Sequence, residues 1–507
     1  MKLGPVLGKF RISFGTVFYL LVAILASAPA WIVRYPPLED LPFHVSTLRQ
    51  IHSYSDAHYG FEKDFYLNLG HTQYALYYVV ADFFAYLLGV RTATIAMMCL
   101  YLGGTPFAMR YLLRAFGKDE RLALFTVPLL VNTMFIIGLL PFVFGIPLML
   151  VGWTLAVHWF HRLDRDWKQN RVLAIAFAVV AVALFYAHVF TYGLFGVGFA
   201  AMFPWKKPQK YLVAGAPVVP SLLAVVWWVK GSAQGQESFG ALGKIGHQPF
   251  IDNIRNVAAW TCDVFKDDTD EKWWIFLALA VLAAIGLGQG AKEKVAPELR
   301  AFFVVPLLCV VLYFMTGDML GDVWLLSQRF PVPALITAVP FIPMRRGGSG
   351  ALVTVLAIVV AVGSTVNTCK HFIQFQLEEV GDIDGALEKM EPNKHVAALI
   401  YDRGSNVVNM SPFLHFGSYY QADKGGVIQF SNSGALYWPV RFREGHYPPP
   451  GKRPRLRWEW TPEQVPIQEL YPYYDYVLVR GNGGFRAPPG TFHVTFRGDR
   501  WTLWQRD

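Results

Sequence analysis

Charge is what this sequence has least of. Asp, Glu, Lys and Arg make up 16% of its 507 residues, and 54% are hydrophobic. An average soluble chain is roughly 25% charged, so a single well-solvated globular domain is excluded. Cysteine is scarce as well. There are four, with no CxxC pair among them, which removes thiolate metal clusters and disulfide-built scaffolds. Cys99 and Cys309 lie inside apolar runs, and Cys262 with Cys369 alone is thin ground for a bridge. A phosphate-cradling glycine fingerprint is also missing. "GNGGF" (481–485) follows a strand pattern but lacks the spacing and the following helix.

What is present is apolar sequence in blocks of about 17–24 residues, the length that spans a hydrocarbon core of about 30 Å. The expected spans are 13–33, 92–114, 121–137, 142–161, 171–187, 189–204, 211–229, 273–290, 299–316, 330–344 and 350–369. The first block has basic flanks and no small-residue cleavage site, so it reads as a retained helix. The net charge of +9 resides mostly in short loops between blocks, which makes it a topology signal and not a nucleic-acid footprint. The expected spans carry almost no charge near their centres, unlike a transporter pathway; Arg110 lies in the last turns of its helix.

The segment "GHTQYALYYVVADFFAYLLGV" (70–90) is long enough to cross. It is rich in tyrosine and phenylalanine, which favour the interface, and Asp82 would cost about 2.5–3.5 kcal/mol near a bilayer centre. Charge parity decides its placement. If 70–90 does not cross and the N-terminus is inside, "RAFGKDER", "RLDRDWKQNR", "KKPQK", "KEK" and "MRRGG" all face inward. If it crosses, every one of them faces outward, against the positive-inside rule. Residues 70–90 therefore read as a helix at the outer interface.

The expected architecture is a polytopic α-helical membrane protein. It has about eleven spans over 1–369, a first outer loop at 34–91 with interfacial helices, and a second at 230–272. A soluble outer α/β domain follows at 370–507. There "LEEVGDIDGALEKM" reads as helix, and "HVAALIYD", "YDYVLVRG", "TFHVTF" and "RWTLWQRD" as strands, the last two forming a hairpin. "HYPPPGKRPR" (446–455) reads as a loop.

The chemistry-bearing stretch is "RYPPLEDLPFHVSTLRQ" (34–50), just beyond the first span. Asp40 and His44 share a helical face, and Pro42 suits the first turn of a helix that the apolar pattern would lay on the membrane surface. Asp40 could simply cap that helix. With Glu39 and His44 beside it, it could instead act as a general base, or Asp40 and His44 could bind Mg²⁺ or Mn²⁺. On the same side lie His71, His188 and Arg329, the last able to grip a phosphate through paired hydrogen bonds. The acid run at 262–271 does not match an EF-hand loop and reads as a solvated charge run.

A first span followed by a long outer loop with an acid just after it, in "WIVRYPPLEDLPFH", resembles the C-type glycosyltransferase (GT-C) superfamily. That superfamily includes protein O-mannosyltransferases, aminoarabinose transferases and oligosaccharyltransferases. The match is to bacterial members with a P-x-x-D-x-P-x-H loop, and "GLLPFVFGIPLML" and "FYAHVFTYG" resemble their later helices. The resemblance implies a catalytic carboxylate at Asp40, with Glu39 as rival and His44 as the trailing histidine. It implies an inverting transfer of a hexosyl or pentosyl group from a polyprenyl-phosphate donor to a glycan, lipid or protein acceptor. It further implies a bacterial inner-membrane protein with a cytoplasmic N-terminus and a periplasmic C-terminal domain. Many family members carry a second acid in the next outer loop, where this chain has "GLLPF". His188 or the 262–271 acids would then have to compensate. The alternative is a non-catalytic transporter or assembly partner in envelope polysaccharide or lipid synthesis.

Overall fold

The computed structural model describes residues 14–236, 250–291, 293–320, 323–345, 347–449, 459–466, 471–481 and 485–507. The centre of "GNGGF", the second half of "HYPPPGKRPR" and residues 237–249 of the second outer loop lie outside them. Seven described helices are long and apolar enough to cross a membrane, and three shorter apolar helices accompany them. Helix α1 (Phe14–Trp31) is an uncharged apolar run. Five of the eleven expected spans are not single α-helices: 92–114 and 299–316 are interrupted at one residue and 211–229 by a 3-10 turn, while 121–137 and 330–344 are broken up further. Residues Glu120–Leu129 form a 3-10 helix containing Pro128, which cannot donate to a ladder. The chain restarts at Thr133–Ile137, where the Asn132 side chain caps Phe135 N–H, and it stops at Gly138. Residues 330–344 are likewise split into Pro331–Ala338 and a 3-10 turn, Val339–Phe341, at a run of prolines.

Helix α2 (Leu41–His52) starts where expected, with proline in its first turn. Its environment differs from the expectation. It does not lie on a membrane surface: Leu41 to Leu48 are buried in an unbroken series, and Gln50 as well. The reason is a cover that sequence periodicity cannot register. The C-terminal domain packs on its polar side, where Ser46 donates to Gln421, Arg49 to the Ala422 carbonyl (2.8 Å), and Trp438 to Thr47 (2.8 Å). Helix α3 (Ala75–Leu88) has two faces. Tyr77, Tyr78 and Ala81 are buried, while Val79, Phe83, Tyr86 and Leu87 are exposed. Its fourteen residues reach about 21 Å, short of a bilayer core.

The C-terminal domain holds a five-stranded sheet. Its strands are β1 (His395–Ile400), β2 (Val427–Ile428), β3 (Tyr476–Arg480), β4 (Phe492–Arg497) and β5 (Trp501–Arg506), in the order β2-β1-β3-β5-β4. β2 and β3 pair parallel to β1, and β5 pairs antiparallel to β3 and β4. The first outer loop is woven into this domain. Phe65–Leu67 pairs antiparallel with Val440–Phe442, over a cluster of Phe61, Phe65, Val427, Val440 and Phe442. The acid run of the second loop is occupied elsewhere. Asp267 stands 3.0 Å from His371, and Asp270 accepts from the Val264 and Phe265 amides. All four cysteines are free.

Ion pairs fasten the C-terminal domain to the membrane part. Arg91 grips Asp423 through two bonds of 3.0 and 2.6 Å and stacks over Tyr419. Tyr35 donates to Asp384 at 2.6 Å, and Arg34 approaches the same carboxylate at 2.9 Å. Bidentate charge-assisted bonds are the strong kind, worth about 1.5–3 kcal/mol each. Arg91→Met should therefore lower the melting temperature of the purified protein and speed proteolysis within 370–507. Unchanged melting and cleavage would show that the pair is not a fastener.

Candidate active site

Backbone bonds fix the carboxylates first. Glu39 N–H donates to the Ile136 carbonyl (3.0 Å) and Asp40 N–H to that of Ile137 (2.9 Å). The outer loop is thereby pinned to the turn that precedes helix α4 (Leu140–Phe160). Gly138 closes that turn at φ +88°, and a Cβ there would stand 3.0 Å from both Asp40 Cβ and Asp40 N. The turn of "GLLPF" thus presses bare backbone against Asp40, leaving no room for an acid at 138.

Asp40 occupies the N-cap position of α2, yet its side chain caps nothing. The carboxylate turns to His415 of the C-terminal domain, with Oδ1 2.9 Å from Nδ1. The same Nδ1 is 3.2 Å from the Glu39 carbonyl oxygen, and Nε2 pairs with Glu459. Phe43 stacks on the imidazole at 3.8 Å. Glu39 is buried and accepts from Ser411 N–H at 3.2 Å. Three carboxylates therefore surround one imidazole.

Burial disfavours the imidazolium, but Glu459 and Asp40 outweigh it and lift His415 to about 10. Burial, reinforced by Asp40, lifts Glu39 to about 7 despite His415. The signs for stability differ. The His415 contribution is full below about 6.5 and lost as pH rises through about 10. Folding favours the protonated form of Glu39, a gain that is full below about 4.5 and gone above about 7.

His44 does not join Asp40 in a chelating pair, contrary to the metal-site expectation. Its Nδ1 is 2.8 Å from Tyr78 Oη and its Nε2 2.9 Å from the Gly138 carbonyl, so both nitrogens are spent. Burial holds it near 4, neutral. Its place in the site is to clamp Gly138. Among the described residues, no three His, Cys, Asp or Glu side chains are grouped to hold a metal ion. The expected Asp40–His44 ligand pair is therefore not assembled, and no step is routed through a metal ion.

The second half of the site lies two residues into α4. His188 and Arg329 come together, both buried, against Phe142. His188 caps helix α6 (Val189–Met202), with Nδ1 accepting from Phe190 N–H at 3.1 Å. That bond puts the ring proton on Nε2. Nε2–H then faces the Arg329 Nη1 donor at 3.4 Å with no acceptor between them. Burial and Arg329 hold His188 well below its usual value, so it stays neutral. Arg329 Nη2 donates to the Trp324 carbonyl at 3.1 Å, and Tyr74 is a further partner. Its Nε is buried without a partner, and it has no carboxylate partner among the described residues. Asp318, the carboxylate that opens the same loop, serves Ser327 and Gln328. Buried donors converging without a carboxylate partner among the described residues are the chemistry that suits an anion.

His71 is exposed and faces Gly231, away from both groups. Its neighbours do the work instead: Gln73 accepts from Val189 N–H (3.2 Å), and Tyr74 packs on His188. Sequence reading missed His415 and Glu459. They stand alone in "SPFLHFGSYY" and "WEW", where no spacing marks them.

No protein-family model matches this sequence, and no curated protein matches it. Solved structures do match in fold. Two of them are crystal structures of ArnT from Cupriavidus metallidurans, one bound to undecaprenyl phosphate and one in the apo state. They superpose with TM-scores of 0.57 and 0.56, covering 97% of both chains at 11% and 13% identity. The chain has the GT-C fold. At this identity the likeness reaches the fold alone.

Glu39→Gln tests the electrostatics. The variant should melt higher than the wild type at pH 8, and the difference should shrink at pH 5, where Glu39 is already neutral. Equal melting at pH 8 would contradict the raised value.

Proposed function

We propose that the protein is an integral membrane glycosyltransferase. It moves a sugar from a polyprenyl-phosphate-linked donor to an acceptor on the outer face of a bacterial inner membrane, with the N-terminus inside. The observation that carries this reading is the polarity of the site. Carboxylates gather at Asp40, the Arg329 guanidinium lies beside His188 with its Nε unpartnered and no carboxylate partner among the described residues, and the two groups flank the N-terminal end of α4. Transfer of a glycosyl group needs that separation. Its transition state is oxocarbenium-like at the sugar and gains negative charge at the leaving oxygen. ArnT, which shares the fold, was crystallised with undecaprenyl phosphate, a ligand of the class proposed here.

Arg329 and His188 Nε2–H would hold the donor phosphate and offset its charge as it leaves. The acceptor, a hydroxyl or amine of a glycan, lipid or protein, would approach Asp40. As the acceptor oxygen or nitrogen bonds to the anomeric carbon, its proton passes to Asp40. The bond to the phosphate oxygen breaks, and that electron pair leaves with the polyprenyl phosphate. Attack opposite the leaving group inverts the anomeric centre.

The test is transfer of radiolabelled sugar from polyprenyl-phosphate donors in proteoliposomes. Asp40→Asn should lower turnover at least about 100-fold, the usual scale for a general base. Arg329→Gln should weaken donor binding about 10-fold or more. Wild-type rates in Asp40→Asn, or absence of transfer by the wild type from any such donor, would overturn the assignment.

A further inference from the structure

The Asp40 carboxylate stands where a helix cap should be and does not cap. Something holds it off the α2 amides, and the geometry identifies what. His415 is fixed on every side. Phe43 lies against its face, Asp40 Oδ1 and the Glu39 carbonyl share Nδ1, and Glu459 takes Nε2. The imidazole is 8% exposed and cannot swing to another partner. Asp40 keeps more solvent access, with its side chain 20% exposed, and among the described residues its Oδ2 has no partner.

We propose that His415, delivered by the C-terminal domain and braced by Glu459, is a positioning residue. It fixes the Asp40 carboxylate through Oδ1 and leaves Oδ2 as the one oxygen offered to the acceptor. The inference rests on the glycosyltransferase reading and adds a role for the soluble domain: the site is incomplete without it. The chemical logic is that of a carboxylate–imidazole couple, in which one group orients and charges the other. The acceptor proton goes to Oδ2, the new bond forms at the anomeric carbon, and the old bond's electrons leave with the phosphate. His415 keeps both ring protons throughout. The groups facing it are Asp40, Glu39 and Glu459, with His44 nearby and uncharged.

Two readouts on the full-length protein test this. The first needs no activity. With histidine-selective ¹⁵N labelling, the His415 ring should remain doubly protonated through pH 8. Its midpoint should fall by at least about one pH unit in Asp40→Asn and in Glu459→Gln. A ring that titrates near 6.5 in all three proteins overturns the coupling, whatever the protein transfers.

The second readout is kinetic. His415→Gln should lower kcat about 10–100-fold, the range seen when an orienting partner is lost, with the donor KM within about two-fold. Glu459→Gln should lower kcat in the same way by less. A lowered melting temperature with kcat unchanged, or a loss shared by kcat and KM alike, would make the contact structural and overturn the proposal. Wild-type transfer by Asp40→Asn would instead defeat the glycosyltransferase role of Asp40, while the ring titration still decides the His415 coupling.

Discussion

The contact between Asp40 and His415 is the constraint on which the rest of the structure turns. It joins the loop after the first span to a residue 375 positions later, and the surrounding fold serves it. α2 is buried because the domain carrying His415 lies over it. Phe65–Leu67 pairs with Val440–Phe442, and Arg91 grips Asp423, so the same loop and domain are held together at several points. A buried imidazole between carboxylates is tolerable only when every nitrogen is matched, and here both are. Removing one partner leaves a charge that the interior cannot solvate.

The second organising feature is the N-terminal end of α4. Gly138 lies against Asp40, and Phe142 lies against His188 and Arg329. One short stretch of backbone therefore sets the spacing between the carboxylate cluster and the Arg329–His188 pair. His44 locks that stretch through the Gly138 carbonyl. Its part is geometric: a neutral histidine that clamps a turn fixes where the carboxylate and the guanidinium stand relative to each other.

Much of this was legible in the sequence. The apolar blocks and basic loops marked the membrane part, and 70–90 resolved into a short helix with an apolar outer face. Alternating apolar runs marked four of the five strands. Asp40, His188 and Arg329 stand out in the sequence because isolated polar groups beside a membrane span are conspicuous. Three things were not legible. Periodicity shows that a helix has a face but not what covers it, so α2 was taken for a surface helix. Pro128 and Pro340 lie where the chain leaves the α-helix, in spans that hydropathy alone makes continuous. His415 and Glu459 reach the site only through tertiary packing, and no local pattern singles out a lone histidine among aromatics. His71 failed for a related reason: the right segment was identified, but Gln73 and Tyr74, not His71, point inward.

The central claim is that donor phosphate and acceptor meet across the N-terminal end of α4, between Arg329 and Asp40. Its most direct test is a cryo-EM structure of the full-length protein with a polyprenyl phosphate in nanodiscs. The account predicts phosphate oxygens within hydrogen-bonding distance of the Arg329 guanidinium and His188 Nε2, with the space beside Asp40 open to the outer side. A phosphate bound elsewhere, with the Arg329–His188 pair unchanged, would contradict it.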